Sequence, residues 1–202
     1  MSRGVFHAIA RIYGLFYNYQ KNYYSGVLEQ NKAKIDYSEV KSILDVGSGT
    51  GALCTSFKAF IPEVSGVEPV ERMVQISKEK TRGKDISFYV GNALEGLEFT
   101  DSSYDIVIAS YVAHGMKEKE RIKLYKEMYR VARKYMIIYD YNRERRFLND
   151  IVEWLERGDY FNFIKVVETE LKELFGNVRV VDVDTRAAWY IIEKAGEPDE
   201  TI

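Results

Sequence analysis

The apolar positions of this chain change their spacing several times, and each change predicts an element. From residue 4 to 34 they recur at three and four residues, with Phe6, Ile9, Ala10, Tyr13, Phe16 and Tyr17 on one side, which predicts a helix. Ser38 is expected to cap a short helix or turn before the first strand. The stretch KSILDVG then reads as a strand, and Ala52 to Phe60 as a helix ended near Pro62. EVSGVEP is a second strand and Val70 to Thr81 a second helix of this series. ISFYVGNA gives a strand and a loop, followed by the polar turn TDSSYD. YDIVIAS is apolar throughout, as in strands covered on both faces. Lys117 to Lys134 predicts a charged amphipathic helix, YMIIYDY another buried strand, and Asn149 to Leu174 a helix broken around Gly158. NVRVVDVD and AAWYIIEKAG complete the chain as two neighbouring antiparallel strands.

Strands alternating with helices imply right-handed crossovers and a mainly parallel sheet covered on both sides. Ligands of such α/β sheets sit beyond the carboxyl ends of the strands. The stretch ILDVGSGTGAL ends the first strand in three glycines, Gly47, Gly49 and Gly51, where that rule expects a site. Glycine is suited to a backbone that must turn sharply or touch a ligand.

Three ligands compete for this loop. A P-loop needs Lys-Ser or Lys-Thr after its glycines, and none follows here. Gly47, Gly49 and Ala52 fit the dinucleotide pattern G-x-G-x-x-A, and Glu68 stands 68 − 51 = 17 residues after the last glycine, about where a ribose-binding acid belongs. Asp45, however, gives D-x-G-x-G-x-G, with the third glycine one residue early for that pattern. A carboxylate there repels a pyrophosphate, at a cost on the order of 1 kcal/mol or more at close range, and suits an ammonium group. A helix N-terminus beside the same loop favours a carboxylate. An amino acid joined to a nucleoside meets both demands, and S-adenosylmethionine is such a molecule.

Across roughly residues 43 to 141 the chain resembles the class I S-adenosylmethionine-dependent methyltransferases, in the branch that methylates small molecules. ILDVGSGTG looks like the family's first motif, and VSGVEPVERMV like its second. FYVGNALEGLEF is similar to the adenine-contacting segment, and YDIVIASYVAHGM to the fourth strand and its loop. The resemblance implies a Rossmann-like doubly wound sheet of seven strands, mainly parallel with the last strand antiparallel, and N-terminal helices over the site. It implies domain limits of 1–37 for a helical cap, 38–195 for the S-adenosylmethionine-binding domain, with a helical insertion near 143–160, and 196–202 for a tail. Cofactor contacts are expected at Tyr13, Asp45, Gly47, Ser48, Gly49, Gly51, Glu68, Pro69, Met73, Asn92, Ala93, Leu94, Ser110 and Tyr111, with Glu68 on the ribose hydroxyls. Asn92 stands where the family commonly has Asp, and VARKYM replaces the usual Leu-Lys-Pro-Gly-Gly turn. No Asn-Pro-Pro-Tyr motif follows the fourth strand, against the branch that methylates amide and nucleobase nitrogens.

Several roles stay open at this level. Met73 either packs over the adenine or fills core. His114, at the place of a family histidine near the transferring methyl, is either a general base or a residue that bonds its own loop. Tyr17, together with Tyr13, is expected to touch donor or acceptor, since aromatic faces suit a sulfonium, while most of the tyrosines from 13 to 24 read as ordinary packing. The segment from Arg143 to Tyr160 is either an acceptor pocket or a helix with an apolar face.

Composition narrows the rest. The charge is 29 − 31 = −2, and the basic residues from 117 to 134 alternate with Glu118, Glu120 and Glu127, which reads as a solvated face and speaks against nucleic acid. The lone Cys54 excludes an internal disulfide and suits a reducing, cytoplasmic setting. No apolar run reaches the roughly 18 residues of a membrane span, and Arg11 interrupts the first apolar stretch, unlike a signal peptide. No Cys/His cluster suggests a metal. The expected function is methyl transfer by in-line displacement to a small molecule, with a homodimer allowed. The competing readings are a catalytically silent S-adenosylmethionine-binding module, a tRNA or other nucleic-acid methyltransferase, and, more distantly, a nicotinamide oxidoreductase.

Overall fold

A computed structural model describes residues 3–142 and 160–194, with the side chains of the first helix from Phe16 and those of the helix after the gap from Asn162. The segment expected to form an insertion, up to residue 159, and the tail lie outside the described residues, as does the side chain of Tyr13. Seven strands form one sheet in the order β3-β2-β1-β4-β5-β7-β6. They are β1 Ser42–Val46, β2 Glu63–Glu68, β3 Ser87–Val90, β4 Tyr104–Ser110, β5 Ala132–Tyr141, β6 Arg179–Asp184 and β7 Ala187–Glu193. The β1–β2, β2–β3 and β4–β5 pairs are parallel, and β7 is antiparallel to both β5 and β6, as the sequence pattern predicts. The helices are α1 Arg3–Asn31, α2 Ala52–Phe57, α3 Glu71–Lys80, α4 Glu118–Val131 and α5 Tyr160–Phe175. Among the described residues no helix is long and apolar enough to cross a membrane.

The chain divides into two compact units, residues 1–92 and 93–202. In the first, all five residues of β1 are buried, which explains why SILDV shows no alternation. One continuous helix, α1, and a short 3-10 turn over Lys32–Lys34 occupy the range predicted as helical. A polar seam joins α1 to α2. The Tyr17 hydroxyl lies 2.7 Å from Thr55 Oγ1, Thr50 Oγ1 donates to Gln20, and Ser56 Oγ donates to the Lys21 carbonyl. Ser38 caps no helix. It sits in a turn, where its N–H donates to Asp36 Oδ1.

In the second unit, β5 is longer than YMIIYDY. It begins at Ala132 directly after α4, so Arg133 and Lys134 belong to a strand rather than to the helix predicted through Lys134. Arg133 bonds Asp105 of β4 and the Ser102 carbonyl just before that strand. The β6–β7 pair turns over Thr185 and Arg186, and β7 is buried from Ala187 to Ile192.

Gly66 in β2 is a packing glycine. A Cβ there would come 2.7 Å from Ser48 Cβ and 2.8 Å from the Phe88 ring. Gly66→Ala is therefore expected to destabilise the fold by about 1–3 kcal/mol, the usual cost of overpacking. A lowered urea midpoint at unchanged slope checks this, and an unchanged midpoint would show that Ser48 and Phe88 yield freely.

Candidate active site

The carboxyl ends of β1 and β2 carry the glycine loop. Gly47, Gly49 and Gly51 all adopt left-handed φ, at 76°, 51° and 76°, a region that side-chain-bearing residues rarely enter. The N–H groups of Gly47 and Ser48 both reach the Val67 carbonyl, and Gly51 N–H closes a turn on Ser48. Glu68 completes the arrangement. Its Oε2 accepts from Gly49 N–H and its Oε1 from Val70 N–H, each at 3.1 Å. Burial raises the pKa of this carboxyl, and the two N–H donors oppose the rise.

The three glycines do not share one role. A Cβ on Gly49 would meet only the Met73 methyl, at 3.9 Å, so this position leaves room beside the loop. A Cβ on Gly51 would come 2.7 Å from Phe88 Cζ, so packing alone already requires glycine there. Met73 is half-buried, Pro69 is exposed, and Asn92 lies one residue beyond Gly91, whose N–H extends the β2–β3 pairing to the Glu68 carbonyl.

Asp45 is enclosed, with 2% of its surface exposed. Its Oδ2 accepts from the Cys54 thiol at 3.4 Å, while Oδ1 has no partner. Burial pushes its pKa up to about 7, the thiol hydrogen bond opposes this, and the charge on Glu68 adds to it. A buried carboxylate oxygen without a donor is an unsatisfied group that an ammonium or an N–H would stabilise. The chemistry of this donor set fits the amino-acid end of S-adenosylmethionine, and Glu68 fits a hydroxyl donor.

Tyr17 is buried, with its pKa raised first by burial, and its hydroxyl is engaged by Thr55, which in turn donates to the Gly51 carbonyl. Its hydroxyl ties α1 to α2.

The remaining expected residues belong to the second unit. Ala93 is buried and Leu94 half-buried, bordering a surface recess with Lys123 and Lys126 of α4. Ser110 ends β4 in register with Tyr139. Tyr111 follows at φ 54° and donates its N–H to the Tyr139 carbonyl. His114 sits in a 3-10 turn, Ala113–Gly115, with its Nδ1 2.9 Å from Asp140 Oδ1 and its N–H donated to Asp140 Oδ2 at 3.2 Å.

Two partners of this loop escaped the sequence reading. Asp140 is the one acid inside the apolar run MIIYDY, a signal that it must be satisfied internally. Arg121 is fully buried, against the expectation of a solvated basic face. It makes a two-pronged contact with Glu170 of α5, at 2.9 and 2.6 Å, and donates to the Met116 carbonyl at 2.7 Å. Among the described residues no group of His, Cys, Asp and Glu could hold a metal ion.

Residues 43–135 match the family described as Methyltransferase domain. This segment, just under half of the chain, is similar to a methyltransferase domain. The methyltransferase YcgJ of Bacillus subtilis is 29% identical over 121 residues, which are 57% of this chain and 47% of that protein. The demethylmenaquinone methyltransferase of Porphyromonas gingivalis is 37% identical over 98 residues, 45% of this chain and 38% of its own. The chain thus spans about half the length of the first of these relatives. A crystal structure of a SAM-dependent methyltransferase from Aquifex aeolicus superposes with a TM-score of 0.63 at 20% identity, covering 82% of this chain and 88% of the other. The matched residues include the glycine loop, Glu68, Asn92 and His114, whereas Asp140 and Glu170 lie beyond the match.

Two stability measurements test this geometry. The Asp45 carboxyl ionises near its ordinary 3.8 when unfolded and near about 7 when folded, so the folded state keeps a proton between those values. Its contribution is fully present below about pH 4 and is lost as pH rises through about 7. The urea midpoint of the native chain should therefore fall relative to that of Asp45→Asn across this window, and parallel curves would show an ionised Asp45. Separately, Arg121→Met or Glu170→Leu alone should cost about 3–5 kcal/mol, with the double variant far closer to the native chain. Additive losses in urea unfolding would refute the coupling.

Proposed function

We propose that this protein transfers the methyl group of S-adenosylmethionine to a small-molecule acceptor. The observation that carries the reading is the loop at the carboxyl end of β1, where three left-handed glycines lie between a buried, half-satisfied Asp45 and a Glu68 bonded to Gly49 N–H. Asp45 would receive the ammonium group, Glu68 the ribose hydroxyls, and Met73 and Asn92 the adenine. When bound, S-adenosylmethionine supplies an electrophilic methyl on a sulfonium. The chain has to orient the acceptor, exclude water and handle a proton, and orientation alone is worth about 7–11 kcal/mol of barrier. Pairing with an ammonium favours the ionised form of Asp45, so donor binding releases the proton that burial keeps on this carboxyl.

A net charge of −2 and a sequence pI of about 5.9 support a small acceptor over a nucleic acid. The single, buried Cys54 fits a cytoplasmic setting.

Calorimetry with S-adenosylhomocysteine is expected to show one site per chain. Glu68→Gln should weaken it about ten- to hundred-fold, roughly the 1.5–3 kcal/mol of a hydrogen bond to a charged group. An absence of binding by the intact chain would sink the reading.

A further inference from the structure

Cys54 sits in α2 with none of its surface exposed, and its one proton has two acceptors in reach. These are Asp45 Oδ2 at 3.4 Å and the Ser65 carbonyl of β2 at 3.8 Å. Burial raises the thiol pKa well above its ordinary value, so the group stays a neutral donor. The hydroxyl of the next residue, Thr55, turns back to the Gly51 carbonyl of its own helical turn, a common choice inside helices. Cys54 instead bonds away from α2, toward the two strands that carry the glycine loop.

Backbone donors near Asp45 are committed elsewhere. The N–H groups of Gly47 and Ser48 go to the Val67 carbonyl, that of Gly49 to Glu68 and that of Gly51 to the Ser48 carbonyl. Two titratable groups act on Asp45, Cys54 from α2 and Glu68 from the end of β2, and the charge of Glu68 opposes its ionisation. Among the described residues no cation acts on it. A cation held by the chain would compete with an incoming ammonium for the same carboxylate. A thiol stabilises the charge without neutralising it, and it buries cheaply when it is not donating.

We propose that Cys54 is a positioning residue for donor binding: its thiol holds Oδ2 of the ionised Asp45 and leaves Oδ1 to the ammonium of S-adenosylmethionine. This rests on the methyl-transfer reading above. While Asp45 carries a proton, the S–H is free to turn to the Ser65 carbonyl. When binding sends that proton to solvent, the S–H returns to Oδ2, and no bond to sulfur is made or broken. An ammonium binds the ionised acid, so affinity falls as pH drops below about 7, the value to which burial raises this carboxyl. Loss of the thiol donor moves that fall to higher pH.

Cys54 is the one cysteine of the chain, so the infrared S–H stretching band, in a window clear of other protein absorption, belongs to it alone. In the chain without ligand this band should move to lower frequency as pH rises through about 7. A band that stays fixed through the titration overturns the proposal. Calorimetry with S-adenosylhomocysteine then compares the native chain with Cys54→Ala and Cys54→Ser. In Cys54→Ala, affinity should fall about two- to tenfold at about pH 6, the size of one hydrogen bond, and agree with the native chain within about a factor of two at about pH 8. Glu68 loses its charge at low pH in all three, so the difference between them reports Asp45. Cys54→Ser keeps a proton donor and should stay near the native affinity at both pH values. An equal loss at both pH values, or a loss in Cys54→Ser as large as in Cys54→Ala, assigns the effect to packing and refutes the proposal. Variants that bind with the native pH profile refute it and leave the methyltransferase reading standing, whereas a native chain that binds no S-adenosylhomocysteine removes both.

Discussion

The carboxylate of Glu68 holds two chain reversals at once. One oxygen takes Gly49 N–H from the loop after β1, and the other takes Val70 N–H where the chain leaves β2 for α3. The two strands lie in parallel register, from Ser42 with Glu63 to Val46 with Val67, and Glu68 adds to the bonds that Gly47 and Ser48 N–H make to the Val67 carbonyl. Each bond also places a charged acceptor opposite a backbone donor, the stronger class of hydrogen bond. Met73 and Asn92 follow from the same placement, since α3 starts just after Val70 and the Gly91 N–H rests on the Glu68 carbonyl. A residue read from sequence as a ribose ligand is therefore also the brace that sets the shape of its own site.

Two buried acids, Asp45 and Asp140, show opposite solutions to enclosure. Asp140 receives three N–H donors and is complete within the protein. Asp45 has a weak thiol donor on one oxygen and none on the other. Satisfying it with a serine or a backbone amide would have been simple at the end of a strand. An oxygen left without a donor costs stability in the empty protein and returns that cost when a ligand brings one. The difference between the two acids is thus informative: the saturated one orients a neighbouring side chain, and the unsaturated one keeps a buried oxygen without a donor.

Much of the fold was legible because strands buried on both faces leave continuous apolar runs, as SILDV and YDIVIAS do. The exceptions share a physical cause, which is that a charged residue satisfied from within looks the same in sequence as one facing water. Arg121 lies among lysines and glutamates, yet its partner Glu170 is 49 residues away and no local pattern joins them. Arg133 joins a strand, where it bonds Asp105 of the neighbouring β4 and the Ser102 carbonyl just before it. The glycine motif was legible as a turn, but its internal division was not. Gly51 and Gly66 yield their side chains to Phe88 and Ser48, while a Cβ on Gly49 would meet the Met73 methyl at an ordinary contact distance. Spacing marks where glycine is required and is silent on whether a ligand or a neighbouring ring requires it.

The tyrosine-rich start of α1 makes the same point for aromatic residues. A tyrosine beside a methyl-donor motif invites a role in chemistry, and Tyr17 has the right neighbourhood. Its hydroxyl nevertheless hands its hydrogen bond to Thr55, and Thr55 to the Gly51 carbonyl, so the chain runs from α1 into the glycine loop itself. Gln20, bonded to Thr50, repeats the connection one turn later. A helix tied at two points to a loop whose backbone must hold three left-handed residues restricts that loop's freedom before any ligand arrives. Such restriction lowers the entropy that binding would otherwise have to remove. Through Thr55, Tyr17 thus ties α1 to the glycine loop.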